Sequence, residues 1–277
     1  SELSADLLIA RGRICHNLRA FDQSRQLFEE ALEISSKLEH TKCLVKSYAG
    51  LGQISLALND PEATIELGKQ IETVLKRANE PVKSQLWSDM YLLFSQAFIL
   101  KQEYSRSLEM SQALLEISRQ TKDIEKEVIA LRNIAVVCGV KSNYKIGMLY
   151  FLEALDKCES IGYRELTVQI HINIATLYAH LYNYEEAIKR YENLLDLYAD
   201  AIDDKTKTIV YNNIGNIYLA TDNPETAIDF FEKAFKLSSQ LNFSDLMAYS
   251  LAQMSRTKIL LNRIEAARGE AMLAKTI

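Results

Sequence analysis

Turn-forming residues are scarce in this chain. Its 277 residues include nine glycines and three prolines. A β-sandwich, a dinucleotide-binding α/β domain or a β/α barrel needs many more turns than that supply supports, since glycine and proline are the usual means of making them. Cysteine is sparse and scattered: Cys15, Cys43, Cys138 and Cys158 form no CxxC pair, so the spacings of zinc and redox sites are missing. The expectation is free thiols, buried or half-buried, in a reducing compartment. Charge of one sign is also lacking. The 32 basic residues face 37 acidic ones, a net charge of −5, which offers no field-driven hold on nucleic acid or an anionic membrane. No apolar run approaches the roughly 18 residues that a membrane span needs. The opening SELSADLLIARGR lacks the basic region and apolar stretch of a secretory signal. Phosphate-loop, dinucleotide, zincin, esterase and EF-hand motifs are all absent, and no histidine follows a glutamate by three residues. With 48% apolar and 25% charged residues, the composition is that of a packed globular chain. We expect a cytoplasmic, nearly all-helical protein with no cofactor, no metal and no catalytic residue.

What the chain has in quantity is repetition. The segments IHINIATLYAHLYNYEEAIKRYENLL, VYNNIGNIYLATDNPETAIDFFEKAF and ALRNIAVVCGVKSNYKIGMLYFLEAL share an apolar stripe, a short polar break and a second stripe. The breaks centre on Tyr144, Tyr184 and Pro224, 40 residues apart. Earlier breaks fall at Tyr104, Pro61 and Phe21, at intervals of 40, 43 and 40, and a later one at Ile264. This period predicts one domain of seven units: 5–44, 45–87, 88–127, 128–167, 168–207, 208–247 and an incomplete 248–277. Within a unit the spacing is helical. Tyr211, Ile214, Gly215 and Tyr218 form one stripe, and Ala227, Phe231 and Ala234 repeat it on a second helix. Gly12, Gly52, Ala135, Ala175 and Gly215 hold the small-residue place where two helices cross, opposite Ser24, Thr64, Ser107, Gly147, Ala187 and Ala227. The 43-residue step coincides with ANEPVKSQ, where Pro81 is expected at or near the first position of a helix.

These residues resemble the tetratricopeptide repeat. Counted from Thr208, the family's favoured types appear as Tyr211, Ile214, Gly215, Tyr218, Ala227, Phe231 and Ala234. The unit before it gives Ile174, Ala175, Tyr178, Ala187 and Tyr191, with His171 at the bulky place, and the first gives Leu8, Gly12, Ser24, Phe28 and Ala31. The second and third are weaker, since Gly68 and Ser111 stand where the large aromatic belongs. The period is longer than the family's minimal one of about 34 residues. It is similar to that of kinesin light chain and the Rap-type bacterial peptide receptors. The resemblance implies an all-α fold, a right-handed α-solenoid of about seven helix-turn-helix repeats with a concave groove lined by first helices.

In that family, positions 2, 5, 6, 9 and 13 of the first helix face the groove. Position 6 is asparagine in three consecutive units, Asn133, Asn173 and Asn213, and one unit adds Asn212 and Asn216. Asparagine is a mediocre helix former, so this recurrence asks for a reason. Its amide carries a donor and an acceptor in one plane, the complement of a peptide bond. First helices about 10 Å apart match the reach of about three extended residues. Peptide-binding members of the family use groove asparagines in this way, and the resemblance implies the same ladder here. The alternative is that the amides bond water or neighbouring helices.

Arg132 and Arg256 flank the ladder and suit a ligand carboxylate. Gln253 and Tyr249 continue it, and His180 lies at its rim. Toward the N-terminus the same positions read Leu92, Leu93, Gln96 and Leu100, an expected apolar patch, then Lys46 and Gln53, then Arg13 and Asn17. Cys15 and Cys138 fall at a packing place, as does His171, while Trp87 and Tyr91 are open between core and groove. The expected function is a non-enzymatic module for a peptide or partner segment, acting without nucleic acid or membrane. Two other readings stand beside it. One is an input domain of a larger signalling protein with a DNA-binding, cyclase or kinase effector, since the last helix stops where it should continue. The other is a scaffold for folded partners, or for itself through solenoid ends.

Overall fold

The computed structural model describes residues 1–277 apart from Lys83, Arg263 and Ile277, with Glu265 described in its backbone alone. The described residues form fourteen helices and no strand. They come in pairs: α1 (Glu2–Asn17) with α2 (Phe21–Lys37), α3 (Thr41–Ala57) with α4 (Pro61–Arg77), and α5 (Trp87–Leu100) with α6 (Tyr104–Thr121). Then follow α7 (Ile124–Val140) and α8 (Tyr144–Ile161), α9 (Arg164–His180) and α10 (Tyr184–Leu197), α11 (Asp204–Ala220) and α12 (Pro224–Gln240), and α13 (Ser244–Leu260) and α14 (Ile264–Thr276). The second helix of each pair begins at the residue on which the repeat break centres, from Phe21 through Ile264. No helix among the described residues is long and apolar enough to cross a membrane.

Packing divides the chain into two compact units, Ser1–Lys157 and Cys158–Ile277. In the first, α1, α3 and α5 each pack on their own second helix and on the next first helix. In the second, α11 packs on α9, α10, α12 and α13, and α13 also packs on α12 and α14. The first unit's buried core runs through Val45, Ile71, Leu75, Trp87 and Leu93, and the second's through Val168, Tyr191, Leu194, Val210 and Ile214.

The shortage of glycine is met by ordinary residues at the tight turns. Arg19, Asn59, Gln102, Ser142, Tyr182 and Asp222, each just past a first helix, take φ values of 58° to 61°. This left-handed conformation costs an L-residue about 1–2 kcal/mol. Hydrogen bonds offset the strain: the Ala20 N–H donates to the Cys15 carbonyl and the Arg19 N–H to the His16 carbonyl, both at 2.9 Å. The same pair of bonds recurs at Asp60 and Asn59, at Asn183 and Tyr182, and at Asn223 and Asp222. The second helices α4, α10 and α12 then start on a cap or a proline. Asp60 Oδ1 accepts from the Ala63 N–H at 2.9 Å, and Pro61 and Pro224 occupy first helical positions, where a missing N–H costs nothing.

Helix pairs cross at their small residues. Ser24 Oγ donates to the Gly12 carbonyl at 2.8 Å, and Ser107 Oγ to the Ser95 carbonyl at 2.8 Å, so the small hydroxyl also ties the crossing. A Cβ on Gly215 would lie 2.6 Å from the buried Phe231 ring. Gly68 resolves one weak match to the repeat pattern. A Cβ there would lie 2.4 Å from Phe94, so a ring from α5 fills the place that the unit's own aromatic leaves empty.

Two expectations need correction, and one reading left open is decided. Pro81 does not open a helix. It sits in a turn closed by Ser84 N–H to the Pro81 carbonyl at 2.8 Å, and α5 begins at Trp87, whose indole N–H donates to the Glu80 carbonyl at 3.3 Å. The buried ring decides where that helix starts. Trp87 is therefore core, with the half-buried Tyr91 against it at 6.3 Å between ring centroids. Leu93 is not part of an open apolar patch: it is fully buried and fills the space beside Gly52, 2.5 Å from where a Cβ would stand.

Candidate functional site

The five asparagines lie at groove positions of first helices and do not share an environment. In the first unit Asn133 is 1% exposed. Its Nδ2 donates to Ser95 Oγ on α5 at 3.1 Å, and its Oδ1 accepts from Arg132 Nη2 at 3.2 Å. In the second unit Asn212 is 3% exposed and its Oδ1 accepts from Ser250 Oγ on α13 at 3.1 Å. The expectation that Asn133 and Asn212 face an open groove is corrected: both are buried against small serines on neighbouring first helices, Asn133 bonded at both ends of its amide and Asn212 through Oδ1 alone.

Asn173, Asn213 and Asn216 are half-buried on α9 and α11 of the second unit. Asn173 makes no side-chain hydrogen bond among the described residues. Asn213 Nδ2 donates to the Tyr191 hydroxyl at 3.1 Å, and Asn216 Nδ2 to the Tyr249 hydroxyl at 2.9 Å. Each leaves Oδ1 and a second N–H for a ligand.

Beside Asn216 lies an open cleft of about 460 Å³ between α11 and α13, lined by Asn216, Leu219, Tyr249, Gln253, Arg256 and Leu260. Four of these, Asn216, Tyr249, Gln253 and Arg256, are groove positions read from the repeat phase. The Arg256 guanidinium is exposed, and no carboxylate among the described residues lies within ion-pair distance. It is therefore open to an anionic group. The Leu219 and Leu260 side chains give the cleft an apolar wall suited to a ligand side chain. His180 is exposed at the end of α9, and Arg132 in the first unit is half-buried beside Asn133.

Tyr191 carries the most perturbed group nearby. Its phenol is pushed up to about 12 by burial, although hydrogen bonding with Thr176 and Asn213 acts the other way, so it stays protonated at any ordinary pH. His171 lies half-buried with its ring 5.6 Å from that of Tyr198, and burial, aided by Arg190, pulls its pKa down. The four cysteines are free thiols, and burial raises Cys43 and Cys138, making them poor nucleophiles. Among the described residues no group of three His, Cys, Asp or Glu side chains is placed to hold a metal.

Two stretches, residues 5–38 and 209–241, match the family profile described as tetratricopeptide repeat. The chain carries tetratricopeptide repeats. Response regulator aspartate phosphatase H of Bacillus subtilis (strain 168) is 28% identical over 202 residues, which is 72% of this chain and 52% of that relative. The repeat chain thus spans about half the length of the curated relative it matches. Among solved structures, a Rap protein complexed with competence and sporulation factor superposes with a TM-score of 0.73 at 15% identity, over 99% of this chain and 75% of that one. NprR in complex with its cognate peptide NprX gives a TM-score of 0.73 at 16% identity, over 98% and 77%. These likenesses establish the fold as an α-solenoid of tetratricopeptide type.

Two contributors to the site were not read from the sequence. Tyr191 is read from the repeat pattern only as a packing aromatic, and Thr176 is not singled out by it. The missed signal is that both carry hydroxyls: that of Thr176 reaches Tyr191, and that of Tyr191 reaches Asn213.

Proposed function

We propose that this chain is a binding module, without catalysis of its own, that holds an extended peptide or an unstructured segment of a partner protein on the first-helix face of its second unit. The cleft between α11 and α13 carries this reading: it gathers an amide, a phenol, a second amide and an unpaired guanidinium beside an apolar wall. Asn173, Asn213 and Asn216 would meet backbone groups of the ligand. Gln253 would extend that contact, and Arg256 would take a carboxylate, with Leu219 and Leu260 against an apolar side chain. His180 and Arg132 are the outlying candidates, each on its own unit. The NprR complex, solved with a peptide, supports the choice of ligand class. The Bacillus subtilis relative is named as a phosphatase, and this chain covers 52% of it. The sequence offers no nucleophile or metal set that would give this segment such an activity.

The test is a screen of unmodified hexapeptides against the whole chain, followed by calorimetric titration of the tightest binder. Asn173→Ala and Arg256→Ala are expected to weaken that peptide roughly three- to a hundredfold, since each lost contact is worth about one or two net hydrogen bonds. If no hexapeptide binds below about 1 mM, or if both variants bind as the parent does, the reading is wrong.

A further inference from the structure

The Tyr191 hydroxyl sits at the middle of a chain of three hydrogen bonds whose direction follows from proton counting. Thr176 Oγ1 lies 2.9 Å from the Ile172 carbonyl, 2.8 Å from the Tyr191 hydroxyl oxygen, and that oxygen lies 3.1 Å from the Asn213 amide. A carbonyl only accepts, so the single Thr176 proton goes to Ile172. Thr176 must then accept the single Tyr191 proton. The Tyr191 oxygen, its own proton committed, accepts from Asn213, and only the NH2 end of that amide donates. The reverse order, in which Tyr191 donates to Asn213 Oδ1 and Thr176 donates to Tyr191, makes two bonds where this one makes three. Tyr191 is almost fully buried, so water does not compete for its hydroxyl.

We propose that Tyr191 is a positioning residue that fixes the Asn213 amide end for end, so that the second unit presents Oδ1 at this point as a fixed acceptor for a ligand backbone N–H. This rests on the peptide-binding reading. The neighbouring amides differ in this respect. Asn173 has no such tether among the described residues, and the Tyr249 hydroxyl that holds Asn216 is itself on the surface, with its proton free to turn. Because the Tyr191 phenol keeps its proton throughout the working pH range, the orientation of Asn213 does not change with pH.

The experiment uses the full chain, the tightest hexapeptide from the screen, and copies of that peptide N-methylated at one backbone position each. In the parent, one N-methylated copy should bind at least tenfold worse, marking the N–H that Asn213 Oδ1 accepts. Tyr191→Phe keeps the ring and removes the tether. It should weaken the unmodified peptide roughly three- to tenfold, as the competent orientation becomes one of several, and should shrink the N-methyl penalty. Thr176→Val keeps Tyr191 and frees its proton, so it should act in the same direction. In an Asn213→Ala background, Tyr191→Phe should have no further effect on binding. If it weakens binding as much there as in the parent, Tyr191 is merely structural and the proposal falls. Should no peptide bind at all, the functional reading fails separately. The lock is then judged by nitrogen-15 NMR of the Asn213 side-chain amide, whose protons should exchange slowly in the parent and much faster in Tyr191→Phe. Equal exchange in the two proteins overturns it.

Discussion

Gly215 gives the sharpest test of the helix-crossing geometry. It lies on α11 against the ring of Phe231 from α12, with an added Cβ 2.6 Å, 2.8 Å and 3.0 Å from three ring carbons. Real Cβ atoms do not approach that closely, so Gly215→Leu must move either the ring or a helix. Phe231 is fully buried, between Ala227 and Ala234 on its own helix, and has nowhere to swing. Overpacking of this kind costs about 1–3 kcal/mol. For a chain of this size each kcal/mol lowers the melting temperature by about 2–4 °C, so the expected drop is about 2–12 °C. Asn216→Ala, on the next residue, loses one half-exposed bond to Tyr249 and gains helix propensity, so its melting temperature should stay within about 2 °C of the parent. Gly269→Ala provides the opposite sign. Nothing lies within 4 Å of a Cβ there and the residue is inside α14, so the variant should gain about 0.5–1 kcal/mol. Thermal melts followed by circular dichroism decide the matter. Equal melting temperatures for Gly215→Leu and Asn216→Ala, or a loss in Gly269→Ala, would refute the register on which every position above depends.

Other outcomes follow from the same packing. Gly68→Ala should destabilise by about 1–3 kcal/mol against the Phe94 ring, and adding Phe94→Leu should recover part of that loss in a double-mutant cycle read by denaturant titration. Asn133→Ala should cost about 1–3 kcal/mol by leaving Ser95 and Arg132 without their buried partner, while Asn173→Ala should leave the melting temperature nearly unchanged. Burial lowers the pKa of His171 below 6.5, so between pH 7 and pH 5 the unfolded chain takes up a proton that the folded chain refuses. Stability should therefore fall as pH drops through that window, ahead of carboxylate protonation, and His171→Phe should flatten the slope measured by chemical unfolding at each pH.

Much of this structure is local in origin and was legible as such. The 40-residue period, the apolar stripes at helical spacing and the small residues at fixed places determine seven helix pairs. They do so because the turn past each first helix is closed by bonds within its own last turn, as at Arg19 and Tyr182, and the second helices α4, α10 and α12 start on a local cap or proline. Phase on a helix also said which residues could reach a common face, and it gathered Asn216, Tyr249, Gln253 and Arg256 on one cleft. Phase did not determine what a side chain meets there, because that depends on the residue across the helix crossing. Asn133 meets a serine on α5 and is buried by it. Asn213 has Ala175 at the equivalent place, finds no hydroxyl there, and turns to Tyr191 on a second helix. The same long-range dependence put Phe94 into the space left by Gly68 and moved the start of α5 from Pro81 to Trp87. A helix presents its side chains according to its own sequence, but the partner helix, dozens of residues away along the chain, decides which of them stay exposed to bind anything else.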